Sequence, residues 1–212
     1  MRTHDLPVMS FTHTDLQLAR EELTAFVELM ADKTEARAGI GWIGTPEAPN
    51  TWNALSRAWE DALLTGAPLP VSNTACENVI LLTPAANVAY RFWHDVTHLE
   101  RGRNFSNAHE LDMANFHLWE AERHGVERGS LPWRLLYADA VGNVLHWAAL
   151  RRFVSNQLVF IVNVVQYGME AALLAEMARH GLLHPQVLPF GVDFTTDSAH
   201  PMPPSDWARW SR

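Results

Sequence analysis

Apolar residues along the chain return every three or four positions over long stretches, and turn-forming residues separate those stretches. That repeat belongs to α-helices burying one face. TDLQLAREELTAFVELMADKTEARAG predicts a first helix, with Thr14 as N-cap and Gly39 as its stop. GIGWIGTPEAPN reads as a loop within an irregular segment, residues 39–50. NTWNALSRAWEDALLTG predicts a second helix, capped by Asn50 or Thr51 and stopped at Gly66. Residues 66–83 are irregular, and within them NVILL reads equally as a short strand or a helical turn. Thr83 followed by Pro84 opens a third helix, because proline at the first helical position lacks only an N–H that would have no partner anyway. Gly102 ends it. A fourth helix runs from Ser106 to Gly125, and a fifth from near Pro132 to about Arg152. SNQLVFIVNVVQYGMEAALLAEMARHG predicts a sixth, stopped by Gly181; its first half is apolar nearly all round, which places it at the centre. β-branched residues leave a strand open for that half, whereas Gln166 to Arg179 reads as helix. The proline-rich tail, 182–212, is expected to pack as an arm. The sum is an all-α protein: a single-domain bundle of about six helices over residues 1–212, with no internal repeat.

Composition sharpens this picture. The chain has 212 residues, 48% of them hydrophobic and 19% charged, enough to bury a sizeable core in one domain. Nine tryptophans point to a lined pocket or an interface as well as a core. A formal net charge of −8 argues against nucleic acid or an anionic membrane surface as the default partner. The single cysteine, Cys76, excludes an internal disulfide framework and a cysteine-only zinc cluster. The opening MRTHDLPVMSFTHTDLQ has no apolar leader segment, and the longest apolar run, LVFIV at 158–162, is far too short to span a bilayer. The expectation is a soluble, cytoplasmic protein.

The candidate chemistry lies between Phe92 and Gly125, which hold five of the eleven histidines. Residues three, four and seven apart share a helix face. Arg91, His94, His98 and Arg101 form one stripe on the third helix; Glu110, His117 and His124 form another on the fourth. Asp139 and His146 lie seven apart on the fifth, with Asn143 beside them, and Asn156, Asn163 and Glu170 on the sixth, with Gln166 near that line. Packed as a bundle, four such stripes converge. Two imidazoles at i and i+4 bind one divalent ion from one side, and a carboxylate from a neighbouring helix completes three ligands with a position left for water. An open position acidifies water or, with iron, takes dioxygen.

Bland readings compete at each residue. One His-x-x-x-His pair in a chain with eleven histidines is weak evidence. His180 and His184 repeat that spacing, but Gly181 and Pro185 break any helix between them, so this pair reads as structural or surface. Glu170 follows an apolar run, where a carboxylate demands a cation; its alternatives are an ion pair with Arg151 or Arg152, or simple exposure. His124 suits a helix C-terminus, His109 lies off the stripe at the surface or behind the ligands, and His146 reads as a satisfied core histidine, left open by Asp139. Trp93, Trp119, Trp133 and Trp147 read as core or pocket wall.

FWHDVTHL resembles the apolar-apolar-His-Asp-x-x-His core of the HD superfamily of all-α metal phosphohydrolases. The resemblance implies a metal pair at His94 and Asp95, a closing ligand at Asp139 in LYADAVG, and hydrolysis of nucleotides or other phosphate esters, which Arg91 and Arg101 would suit. Glu110, His117 and Glu170 resemble the inward Glu and His ligands of helical bundles that hold iron. HDVTH at 94–98 is similar to the His-Glu-x-x-His of zincin proteases, with Asp for Glu.

The leading expectation is a metal-dependent hydrolase of a phosphorylated small molecule or nucleotide. Its metal ligands are drawn from His94, His98, Glu110, His117 and Asp139. Asp95 and Glu170 serve as catalytic groups, and Arg91 and Arg101 hold the substrate. The cofactor is a divalent ion: zinc, manganese, magnesium or iron. The alternatives are a non-haem iron oxidoreductase, with one or two irons, and a non-enzymatic helical interaction protein. Homo-oligomerisation stays open.

Overall fold

The computed structural model describes residues 7–182. Seven helices dominate it, making the described residues 66% helical, with one small two-stranded sheet. In chain order the elements are α1 (His13–Ala38), β1 (Trp42–Thr45), α2 (Trp52–Thr65), β2 (Leu69–Ser72), α3 (Pro84–Arg101), α4 (Asn107–Arg123), α5 (Leu131–Leu150), α6 (Gln157–Tyr167) and α7 (Met169–Arg179). The arm expected over 182–212 falls, Leu182 apart, outside the described residues.

Most helix ends obey the local signals. Thr51, Thr83 and Ser106 each accept a hydrogen bond from the backbone N–H three residues on, capping α2, α3 and α4. The first helix starts earlier than its pattern implied. Thr12, not Thr14, is the N-cap: its hydroxyl accepts from Asp15 N at 3.2 Å while Asp15 Oδ2 accepts from Thr12 N at 2.9 Å. This is a capping box closed by aspartate.

Two departures matter. The sixth predicted helix is two helices, α6 and α7, meeting at Gly168. With φ 90° and ψ 162°, Gly168 occupies backbone space essentially closed to side-chain-bearing residues, and the helix cannot run through it. The segments read as irregular also contain a parallel strand pair, in register from Trp42↔Leu69 to Thr45↔Ser72, with α2 as the crossover. Four residues, one of them Pro70, are too few for an alternating pattern to stand out. NVILL is neither strand nor helix. Its carbonyls are taken from the side by α1: Arg20 Nε donates to Ile80 O at 2.8 Å, and Nη2 to Val79 O and Leu81 O, both at 3.2 Å. A segment whose backbone is satisfied by a side chain needs no ladder.

The buried apolar residues fall into two clusters with α3 between them. The larger gathers Leu16, Leu23, Val27, Trp93, Leu118, Leu135, Phe160 and Ile161 from α1 and α3 to α6. The smaller joins Leu55 of α2 and Leu69 and Val71 of β2 to Val88, Phe92 and Val96 of α3, and Trp42 stacks on Phe92 at 4.4 Å between centroids. Because α3 gives one face to each cluster, its remaining stripe, His94 and His98, is turned toward α4. No helix among the described residues is long and apolar enough to cross a membrane.

Gly168→Ala tests the break. A Cβ there meets nothing nearer than Val8 Cγ1 at 4.0 Å, so its cost is backbone strain alone. Equilibrium denaturation is expected to show a loss of about 1–3 kcal/mol. An unchanged midpoint would mean that the chain passes from α6 to α7 without a left-handed residue.

Candidate metal centre

Three of the predicted ligands converge. His94 Nε2 lies 3.1 Å from His98 Nε2, and Glu110 Oε2 lies 3.3 Å from the first and 3.4 Å from the second. With ligand bonds of about 2.0–2.1 Å, tetrahedral edges measure about 3.3–3.4 Å, and octahedral ones about 3.0 Å. The trio therefore matches one face of a four- to six-coordinate ion. His98 is fully buried, whereas the side chains of His94 and Glu110 are each 22% exposed, so the cluster has one wet side.

The local backbone prepares this arrangement. Gly102, at φ 61°, ends α3 in the left-handed region, and Arg103 N bonds back to His98 O at 2.9 Å. The reversal sets Arg103 O 2.8 Å from His98 Nδ1. A carbonyl only accepts, so Nδ1 carries the proton and Nε2 presents its lone pair to the cluster. A backbone acceptor behind a ligating imidazole is the usual way of fixing its tautomer. The same turn leads into α4, whose first turn carries Glu110. The strand-helix-strand unit holds α3 from the other side, where Arg91 donates to Ser72 O at 2.8 Å, Thr74 O at 2.7 Å and Ala75 O at 3.4 Å.

The three side chains could hold a cation. With that tautomer the His98 Nε2 lone pair and the Glu110 carboxylate face each other at 3.4 Å, a repulsion that the Nε2–H of a neutral His94, an added proton or a metal ion would relieve. Burial works to raise the Glu110 pKa, but hydrogen bonds and charge from His94 and His98 overcome it and hold the carboxyl at about 2. Burial opposes the charged form of His94, and Glu110 outweighs it, raising that pKa. The donor set suits zinc or iron.

The other expected site residues take different places. His117 stands behind His94: its Nε2 is 3.1 Å from His94 Nδ1, its ring lies against Trp93 at 4.0 Å, and it is fully buried with Nδ1 unpartnered. Burial, then the charges of His94 and His98, keep it neutral. It is placed to orient His94 rather than to join the converging trio. Asp139 also lies outside the trio, accepting from Asn143 Nδ2 at 2.9 Å and from Gln157 Nε2 through the same oxygen. Burial pushes its carboxyl to about 6 despite these bonds. Asp95 is close enough for the charges of both imidazoles and Glu110 to act on it, and burial again lifts its pKa to about 6. Glu170 does not point inward: the break at Gly168 rotates α7, and Glu170 is exposed in its first turn. That removes it from the site. Arg91 is committed to three carbonyls and is not free to fork a phosphate. Arg101 is exposed, its guanidinium 4.4 Å over the Phe116 ring.

His124 caps α4, with Nδ1 2.8 Å from Glu120 O, and His109 bonds Asn104 in the loop before α4. Trp93 and Trp133 are core residues, while Trp119 and Trp147 are exposed. Sequence reasoning missed the tautomer-setting carbonyl of Arg103 and the contribution of Gln157. It also missed a second group, His146, Glu176 and His180. A visible signal for that group was Glu-x-x-x-His across residues 176–180, at helical spacing. No protein-family profile, curated protein or solved structure matched the chain when compared with it.

The raised carboxyls make a pH prediction with a definite sign. Asp139 has a folded pKa of about 6 against an ordinary 3.8, so the folded state holds its proton more tightly. Its ionisation therefore costs stability above pH 6, and the cost vanishes as pH falls below 3.8. Two pKa units correspond to at most about 3 kcal/mol. Denaturation with chelator present is expected to show Asp139→Asn gaining on the parent protein as pH rises from 4.5 to 7.5. Parallel curves would contradict the shift.

Proposed function

We propose that the chain is a metal-dependent hydrolase whose ion is held by His94, His98 and Glu110. The observation that carries this reading is the mutual spacing of the three donor atoms, 3.1–3.4 Å, with one imidazole tautomer already set by the backbone. A two-histidine, one-carboxylate site with open positions is a catalytic pattern for zinc, and the wet side at His94 and Glu110 gives a substrate access. When bound, the ion would supply Lewis acidity, polarising a substrate oxygen and making water acidic near neutral pH.

The chain's own groups would do the rest. His117 holds the His94 ring in place, and Arg103 O holds His98. Asp95, adjacent in sequence and electrostatically coupled to the trio, is the candidate proton acceptor. The ligand set departs from the His-Asp pattern that the HD resemblance implies, because Glu110 rather than Asp95 faces the imidazoles. A phosphorylated substrate keeps one argument: Arg101, whose charge reaches His117. Arg91 no longer supports it.

A second reading rests on the same donor set. Two histidines and one carboxylate on one face also hold iron in non-haem oxygenases. Metal content separates the two: zinc or manganese in the protein as isolated supports hydrolysis, and iron with a visible absorption band supports the oxidoreductase.

Two outcomes test the proposal. Glu110→Gln and His98→Ala are each expected to lower metal affinity at this cluster by at least about tenfold, and to abolish metal-dependent hydrolysis in a panel of phosphate and carboxylate esters. Full affinity in both variants, measured by competition with a chromophoric chelator, would end the metal reading. Arg101→Ala is expected to raise KM for a phosphate ester with the melting temperature held within about 2 °C, as befits an exposed residue. An unchanged KM would remove phosphate from the proposal.

A further inference from the structure

We infer that His146, Glu176 and His180 form a second divalent-metal site, structural in role, that ties the end of α5 to the end of α7. One donor atom from each lies within 4.8 Å of the others. The cluster is independent of the first: its residues come from α5, α7 and the position that follows α7, rather than from α3 and α4.

Glu176 is 1% exposed, and its carboxylate is gripped from one side. Ser155 donates its N–H to Oε2 at 3.0 Å, its hydroxyl lies 2.9 Å from Oε2 and 3.1 Å from Oε1, and Arg179 is paired with Oε1. Those bonds account for the carboxylate as an ion pair at the end of α7. They leave the two imidazoles unexplained. His146 is 1% exposed and its Nε2 has no partner; His180 Nε2 also lacks a hydrogen bond, 4.0 Å from Glu176 Oε2. Two unpartnered imidazole nitrogens beside one buried carboxylate are costly as hydrogen-bonding groups and apt as ligands. His146 also has a backbone hydrogen bond to Arg152, which echoes the carbonyl behind His98.

The atoms stand wider apart than a bound ion would hold them, since tetrahedral edges are about 3.3–3.4 Å. The closing movement falls to His180, which follows the last turn of α7 with a side chain 23% exposed. An ion here would join residues 30 and 34 positions apart in sequence (146 to 176, and 146 to 180). It would fix α7 against α5 beyond the break at Gly168.

The test is zinc itself, added to the untagged full-length chain after chelator treatment and counted after desalting. The expectation is two zinc ions per chain, one in His180→Ala, one in His98→Ala and none in the double variant. The zinc-induced rise in melting temperature should also shrink in His180→Ala, a partly exposed position whose loss leaves the core intact. His146→Gln should repeat the loss of one ion. A single ion that is lost in His180→Ala and kept in His98→Ala would uphold this site while removing the first. Equal zinc content in His180→Ala and the parent protein would overturn the second site, as would zinc content of zero in the parent.

Discussion

An imidazole with no exposure has two nitrogens to satisfy, and in this protein that constraint on His98 organises the centre. Its Nδ1 can be answered only because the chain reverses at Gly102 and brings Arg103 O back over the end of α3. The reversal turns Nε2 outward as a lone pair and starts the helix that carries Glu110. One turn therefore orients an imidazole and delivers the carboxylate beside it. The two hydrophobic clusters act in support: by claiming two neighbouring faces of α3, they leave the histidine stripe on the side that remains.

The interior around that turn is rich in carboxylates and poor in cations free to meet them. Glu110 is held ionised by two imidazoles, while Asp95 and Asp139 are pushed by burial toward the protonated form. Arg91, the nearby arginine on α3, spends its guanidinium on carbonyls at and just beyond the end of β2 instead of a carboxylate. Burying anionic groups without fixed cations is unfavourable, and protonation of Asp95 and Asp139 is one way the fold meets that cost. At the far end of α5 the same problem has a different answer, since Glu176 already has Arg179, and there it is the Nε2 atoms of His146 and His180 that lack a hydrogen bond.

Much of this was legible because it is local. The caps at Thr51, Thr83 and Ser106 are written in single residues, and the stripe His94, His98 is a consequence of helical spacing. Glu110 was legible too, seven residues before His117 on the next helix. The same periodicity misplaced Glu170. It assumed one straight helix from Asn156 to Arg179, and a single glycine at φ 90° rotated everything beyond it. His180 had been read, with His184, as structural or surface; its neighbour in the fold is Glu176, on the helical side of Gly181, while His184 lies outside the described residues.

The sequence by itself determined an all-α chain, most of its helix ends and the imidazole and carboxylate stripes on α3 and α4, because caps, breakers and a 3.6-residue repeat act over distances of a few residues. Tertiary structure alone decided which stripes meet. Whether Asp139 faces an ion or an amide, whether Arg91 reaches a substrate or a loop, and whether His146 stands alone or beside Glu176 all depend on how separate helices are rotated about their axes. Those rotations come from packing between residues far apart in the chain, such as Trp42 on Phe92 and Arg20 on residues 79–81, and no local pattern encodes them.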